Sequence, residues 1–305
     1  EEKDAAFLKL YDGHDWKWFA VRLKHTDMEY LRKHWSGKKA SAPTLEKKHD
    51  KYFLRFTYAE EVALNRTPVK EQTICSVDLG INTDAVCTIM RPDGTILGRK
   101  FINFPSDKDR MYRVLGRIRR FQREHGSRQV QGRWAYAKRL NTELGKKIAR
   151  EIVFYASENR ADVIVFEYLE MKGKLSGKKK QKLQMWRKRD IQKRCGQQAH
   201  RKGIRISRIC AWNTSRLAFD GSGKIDRDIQ DHRLCTFQNG KRYNCDLSAS
   251  YNIGARYFIR EILKPLPATE RSLLEAKVPA VKRRTSCVYA DLRDLISEME
   301  LRKAA

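Results

Sequence analysis

Apolar residues change period along this chain, and each change marks a different kind of element. Over residues 74–104 they come in short dense runs, which predict strands at 74–81, 85–90 and 95–104. Arg91-Pro92-Asp93-Gly94 is a turn between the last two, so the three read as a meander. Beyond this the period lengthens. Ser106 and Asp107 are placed to cap a basic helix running to about His125. Leu140, Leu144, Ile148, Ile152 and Tyr155 then mark one face of a helix over roughly 134–159. Residues 162–167 (DVIVFE) are nearly continuously apolar, as expected of a central strand buried on both faces. A Gly- and Lys-rich stretch at 172–182 reads as a mobile loop, followed by a basic helix to about Lys202 and a strand at 204–210. Residues 213–240 are polar and turn-rich. Leu247, Tyr251, Ala255, Phe258 and Ile262 predict a helix over 247–263, with a connector at 264–280 and a terminal helix at 289–303. Residues 1–73 read as a small β-rich module, with strands at 16–24, 44–48 and 52–58. Its Trp16, Trp18 and Trp35 are of a type that stacks on bases, though packing is their more frequent fate. No internal repeat is visible.

Composition narrows the class of partner. The chain has 305 residues, of which 41% are hydrophobic, enough for roughly two domains with a sizeable core. Sixty-five Lys and Arg against 37 Asp and Glu give a net charge of +28, which points to a polyanionic partner. The excess is concentrated. Residues 99–150 carry 16 basic and 4 acidic side chains, and residues 172–208 carry 15 basic ones and only Asp190. Neither block has the long amphipathic apolar face of a membrane binder. There is no apolar run of membrane-spanning length and no apolar leader. The first residue is Glu, which reads as a processed or trimmed start. Seven cysteines without a C-x-x-C pair suggest reduced thiols and a cytoplasmic setting.

Three acids stand where local structure would not ask for one. Asp78 lies in the apolar strand of SVDLGIN, where a carboxylate is costly unless a cation or donors meet it. The competing reading is a solvated face formed by Ile74, Ser76, Asp78 and Gly80. Glu167 ends the DVIVFE run, at the carboxyl end of a strand where open α/β sheets place their chemistry. It too could simply face water, and Glu170 is a rival just beyond the strand. Asp246 directly precedes the expected helix at Leu247, where Asp is a favoured N-cap. Together, three carboxylates suit a pair of hard divalent cations acting on a phosphodiester.

SVDLGIN, VIVFEYL and YNCDLSASYNI, in this order and context, resemble the three split motifs of the RuvC-like nuclease domain in transposon-encoded TnpB proteins and their Cas12 relatives. The segment QMWRKRDIQKRCGQQAHRKGIRISRI and the phrase Asn213-Thr214-Ser215 also resemble family features. The resemblance covers about residues 73–263. It implies an α/β, RNase H-like (RuvC) domain with inserted helices over 74–263, and a C-terminal connector and helix over 264–305. Residues 1–73 resemble the back portion of a β-barrel-like wedge module.

By this resemblance Asp78, Glu167 and Asp246 are the catalytic triad and the ligands of Mg²⁺, two ions being expected and Mn²⁺ an acceptable substitute. The implied activity is RNA-guided DNA endonuclease, with a guide RNA and target DNA as partners and no membrane. The protein would be cytoplasmic, nucleoid-associated if prokaryotic, and more readily a monomer than an oligomer. Arg117, Arg120, Arg187, Lys188 and Arg194 are the expected backbone-holding residues. The family's zinc ribbon is degenerate here: Ala218 and Gly221 stand at the first ligand pair, and Cys235 with Gln238 at the second. Cys245 and His232 do not complete a tetrahedral set, so no structural zinc is expected and a compact hairpin around 234–243 takes its place. Two other readings remain: a regulator or guide-RNA scaffold that does not cut, and an unguided RNase H-like resolvase or transposase.

Overall fold

The computed structural model describes residues 4–48, 50–126, 130–168, 187–283 and 285–304. Glu170 and the 172–182 stretch lie outside the described residues. The chain divides between Val62 and Ala63 into two compact units.

The first unit is β-rich. β1 (Ala5–Tyr11) and β2 (Trp16–Arg22) form an antiparallel hairpin. At its turn the Asp12 carboxylate accepts the His14 and Asp15 amides, and Gly13 takes φ +104°. Helix α1 (His25–Trp35) follows, then β3 (Lys39–Ala40), β4 (Thr44–Lys48), β5 (Lys51–Arg55) and β6 (Tyr58–Ala59). β3 pairs with β6 and β4 with β5, so the described strands make three separate two-stranded ladders and no closed barrel. Ladders of two residues supply too few backbone bonds to close one. The helix was not foreseen, because residues 25–35 are polar and bury none of their side chains. Trp35 stacks on Tyr58 at 5.1 Å between ring centres, whereas Trp16 and Trp18 are exposed.

The second unit is built on one mixed sheet. Its strands are β7 (Ile74–Asp78), β8 (Ala85–Met90), β9 (Ile96–Ile102), β10 (Val163–Tyr168) and β11 (Arg205–Cys210), in spatial order β11-β10-β7-β8-β9. β7, β10 and β11 run parallel, and β8 is antiparallel to both its neighbours. The expected meander therefore forms, and the DVIVFE strand is an interior one, between β11 and the central β7. Between β9 and β10 the chain makes α2 (Pro105–His125) and α3 (Gln131–Glu158). Ser106 and Asp107 fall in the first turn of α2; the cap position is Phe104, which makes no side-chain cap, and Pro105 opens the helix instead. Then come α4 (Lys188–His200) before β11, the small ladder β12 (Asp226–Arg227), β13 (Leu234–Thr236) and β14 (Arg242–Asn244), and α5 (Cys245–Leu263). The expected connector contains a helix, α6 (Ala268–Lys277), and α7 (Tyr289–Ala304) ends the chain.

The sheet separates two cores. Cys75, Val77, Ile164 and Phe166 face α3 and α4, whereas Ile74, Val163 and Val165 face α5 and α7. This alternation follows from the period of two along a strand. Helix α5 is buried on all sides through most of its length, as its Ala-, Ser- and Tyr-rich sequence allows. Phe258 alone, fully buried there, contributes about 2 kcal/mol by removal from water. None of the described helices is long and apolar enough to cross a membrane, and all seven cysteines are free thiols.

Candidate active site

Strand alternation settles the question of Asp78. Ile74 and Ser76 are fully buried and Asp78 is 7% exposed, so the face expected to be solvated lies under α5 instead. On β10, Val163 and Val165 share that face, and Glu167, also 7% exposed, comes next in the same phase. The β7–β10 ladder runs in parallel register as far as Val77 and Phe166, so Asp78 and Glu167 sit one step further, at the carboxyl ends of neighbouring strands. Helix α5 begins at the same place. Its cap is Asn244, whose side chain accepts the Leu247 amide at 2.9 Å, and the helix starts at Cys245. Asp246 is thus relieved of capping. It stands in the first turn, where the helix dipole favours negative charge.

The three carboxylates feel one another. Burial pushes the Asp78 carboxyl well above the ordinary carboxylate range, and the Glu167 and Asp246 charges push the same way. Lys188 and Arg227 pull it back. Burial also raises Asp246, against the Thr83 hydroxyl, which hydrogen-bonds it, and the charges of Arg227, Lys188 and Arg233. On Glu167, Oε1 accepts the Thr214 hydroxyl, while Oε2 faces the Lys188 ammonium at 3.7 Å. The Glu167 carbonyl accepts from Gln192 Nε2 at 3.0 Å, and Arg208 Nε donates to Gln192 Oε1 at 3.1 Å.

Helix α5 also holds the loop that carries Thr214. Asn252 Nδ2 donates to the Thr214 and Leu217 carbonyls at 3.0 and 2.9 Å, and its Oδ1 accepts the Tyr289 amide. Arg256 grips the start of that loop through the Cys210 and Trp212 carbonyls. Gly80 serves the opposite wall. A Cβ there would stand 2.5 Å from the Thr83 carbonyl oxygen and 3.7 Å from Asp246 Oδ2. Gly80→Ala is therefore expected to displace the turn that presents Thr83 and cost about 1–3 kcal/mol, read as a lower melting temperature.

The donor set suits a hard divalent cation in type, because three carboxyl groups from neighbouring elements offer oxygen ligands. Among the described residues, however, no three His, Cys, Asp or Glu side chains are placed so that they could hold an ion together. Both Glu167 oxygens are engaged by protein donors.

The expected backbone-holding residues divide. Arg117 and Arg120 are exposed on α2. Arg187 donates to Thr142 and reaches Asp190 at 3.5 Å, and Arg194 Nε meets the same Asp190 oxygen at 3.0 Å. Lys188 points the other way, into the acids, with its side chain 12% exposed.

No protein-family model matches the chain, and no curated protein does. Solved structures do. A Cas12f1–guide RNA–target DNA complex matches at 18% identity and TM-score 0.49, over 68% of this chain and 54% of that one. A CRISPR–Cas12f ternary complex matches at 15% and 0.44, over 77% and 49%. A Cas12i–crRNA–double-stranded DNA complex matches at 10% and 0.44, over 98% and 47%. All are Cas12 effectors. The chain spans about half the length of these matched chains.

Two residues of the site were not foreseen. Arg227, on β12, is exposed, donates to the Ser215 carbonyl at 3.1 Å and acts electrostatically on both Asp78 and Asp246. Arg233 acts on Asp246. Both come from the small ladder at residues 226–244. Its core is apolar: Ala218, Cys235, Phe237 and Cys245 pack with Phe219, Ile225 and Tyr243. Two positions where ribbon ligands would fall, Ala218 and Cys235, thus meet inside a hydrophobic cluster. A single Arg in a polar stretch carries no sequence signal of where it will point; only the ladder brings it to the acids.

Proposed function

We propose that the second unit is an RNase H-like, RuvC-type nuclease domain that hydrolyses DNA phosphodiester bonds selected by a guide RNA. The observation that carries this reading is the meeting of Asp78, Glu167 and Asp246 on one face, from two parallel strand ends and the first turn of the covering helix. A structural protein gains nothing from crowding three carboxyl groups together, two of which, Asp78 and Asp246, burial pushes above the ordinary carboxylate range. The parallel strands β7 and β10 put Asp78 and Glu167 at the same edge of the sheet, which supports the same reading.

Asp78, Glu167 and Asp246 would hold Mg²⁺, or Mn²⁺ in its place. When bound, the metal would activate water and stabilise the leaving oxygen. The chain's own groups do the rest. Thr214 fixes the rotamer of Glu167, and the α5 N-terminus adds positive potential beside Asp246. Arg227, at the rim, faces the phosphate's charge; Arg227→Ala is expected to lower the cleavage rate by about a hundredfold with little change in DNA affinity, by single-turnover kinetics. Arg117 and Arg120 belong to a helix pair rich in exposed basic side chains, suited to a phosphate backbone. The setting is cytoplasmic or nucleoid-associated, and the unit acts as a monomer.

One observation favours a second reading, a guide-RNA scaffold that does not cut: Lys188 is paired with Glu167, and among the described residues no three acids stand ready to share an ion. Purifying the protein with its nucleic acid separates the readings. The nuclease reading expects RNase-sensitive material whose sequence dictates which DNA is cut. Bound RNA without cutting of matching DNA supports the scaffold, and cutting without RNA supports an unguided resolvase.

A further inference from the structure

Lys188 is the first residue of α4, a position where the helix dipole disfavours a cation. The preceding Arg187, at the cap, turns to Asp190 in the first turn of the helix, as Arg194 does from further along it. Lys188 instead runs inward. Its ammonium reaches Glu167 Oε2 at 3.7 Å, and its field acts on Asp78 and Asp246 as well. A nearly buried ammonium pays a large desolvation cost, and the facing carboxylates help offset it. The three carboxyl groups and this ammonium thus form one linked cluster, with the ammonium seated directly against Glu167.

We propose that Lys188 is a built-in counterion that neutralises Asp78, Glu167 and Asp246 in the cation-free protein and must be displaced when a divalent ion loads. This rests on the reading that these three acids take such an ion. It makes the site self-restrained: the cation-free fold tolerates its own carboxylates, and metal affinity is lower than the bare acids would give. Lys188 is then a positioning and gating residue rather than a phosphate-holding one.

The test is Mn²⁺ binding to the full chain by calorimetry, for wild type, Lys188→Met, Lys188→Arg and Asp78→Asn. Lys188→Met should bind Mn²⁺ about tenfold more tightly, because a competing positive charge some 4 Å away is gone. Lys188→Arg, which keeps the charge, should stay near wild type, and Asp78→Asn should lose the gain. Thermal unfolding gives a second readout. In EDTA, Lys188→Met should melt below wild type, and saturating Mn²⁺ should restore it by more than it raises wild type. Equal or weaker Mn²⁺ binding by Lys188→Met, with wild type binding normally, would overturn the counterion and leave the metal site standing. No Mn²⁺ binding by either protein would overturn both.

Discussion

Asp78→Ala is expected to slow DNA cleavage by about a thousandfold or more while RNA and DNA affinities change by less than about threefold. The asymmetry follows from where Asp78 sits. It is almost fully buried at the end of β7, beneath α5, and the exposed basic side chains of the α2–α3 pair lie on other elements. It lies in the field of Glu167, Asp246, Lys188 and Arg227, so its loss removes one of the three carboxyl groups that would hold a divalent cation. Stability should not fall with activity. The carboxylate is held at a cost, since burial and two like charges oppose its ionisation, so removing it eases the metal-free fold. Parallel measurement of single-turnover cleavage, binding and melting temperature checks all three statements on one sample. A variant that cuts as fast as wild type would remove Asp78 from the chemistry.

The largest effect on stability is expected from Arg256→Met. Arg256 is 4% exposed and donates to four backbone carbonyls: Cys287 at 2.8 Å, Cys210 at 2.9 Å, Trp212 at 2.7 Å and Thr285 at 3.2 Å. Burial lowers its proton affinity, but guanidinium is too strong a base to give the proton up. Methionine fills much of the volume and satisfies none of the carbonyls. About 3–5 kcal/mol should be lost. In a unit of this size that corresponds to a fall in melting temperature of roughly 6–20 °C. The same change frees the start of the loop that brings Thr214 to Glu167, so residual activity in the folded fraction should drop as well. Arg256→Lys, with a point charge in place of the fork, should fall between the two. Differential scanning calorimetry gives the stability, and an unchanged melting temperature would show that these carbonyls find other donors.

Much of the second unit was legible because its elements are strongly periodic. β8 and the interior strand β10 are plain in the apolar runs, and the face predicted for α3 is buried or half-buried through Leu140, Leu144, Ile148, Ile152 and Tyr155. Elements that bury little were not legible. Helix α1 buries nothing, and α6 buries only Leu274, so neither leaves a stripe to read. The candidate site was legible as residue types in order, but its wiring was not. Asn244 rather than Asp246 caps α5, a choice between two favourable residues two positions apart that only the backbone's entry into the helix decides. The direction of Lys188 likewise depends on what faces it across the fold. A basic block in sequence predicts a basic surface; here one member of that block turned inward, and Arg227 came to the acids from a stretch with no pattern at all.

The central claim is that the cluster of Asp78, Glu167 and Asp246 cuts DNA. Its most direct test is a Mg²⁺ titration of DNA cleavage by the wild-type chain carrying its own RNA, with matching DNA in excess of the binding constant. The account predicts no product in EDTA and cleavage that rises with Mg²⁺ to saturation. Stable RNA and DNA binding with no cleavage at any Mg²⁺ or Mn²⁺ concentration would contradict it.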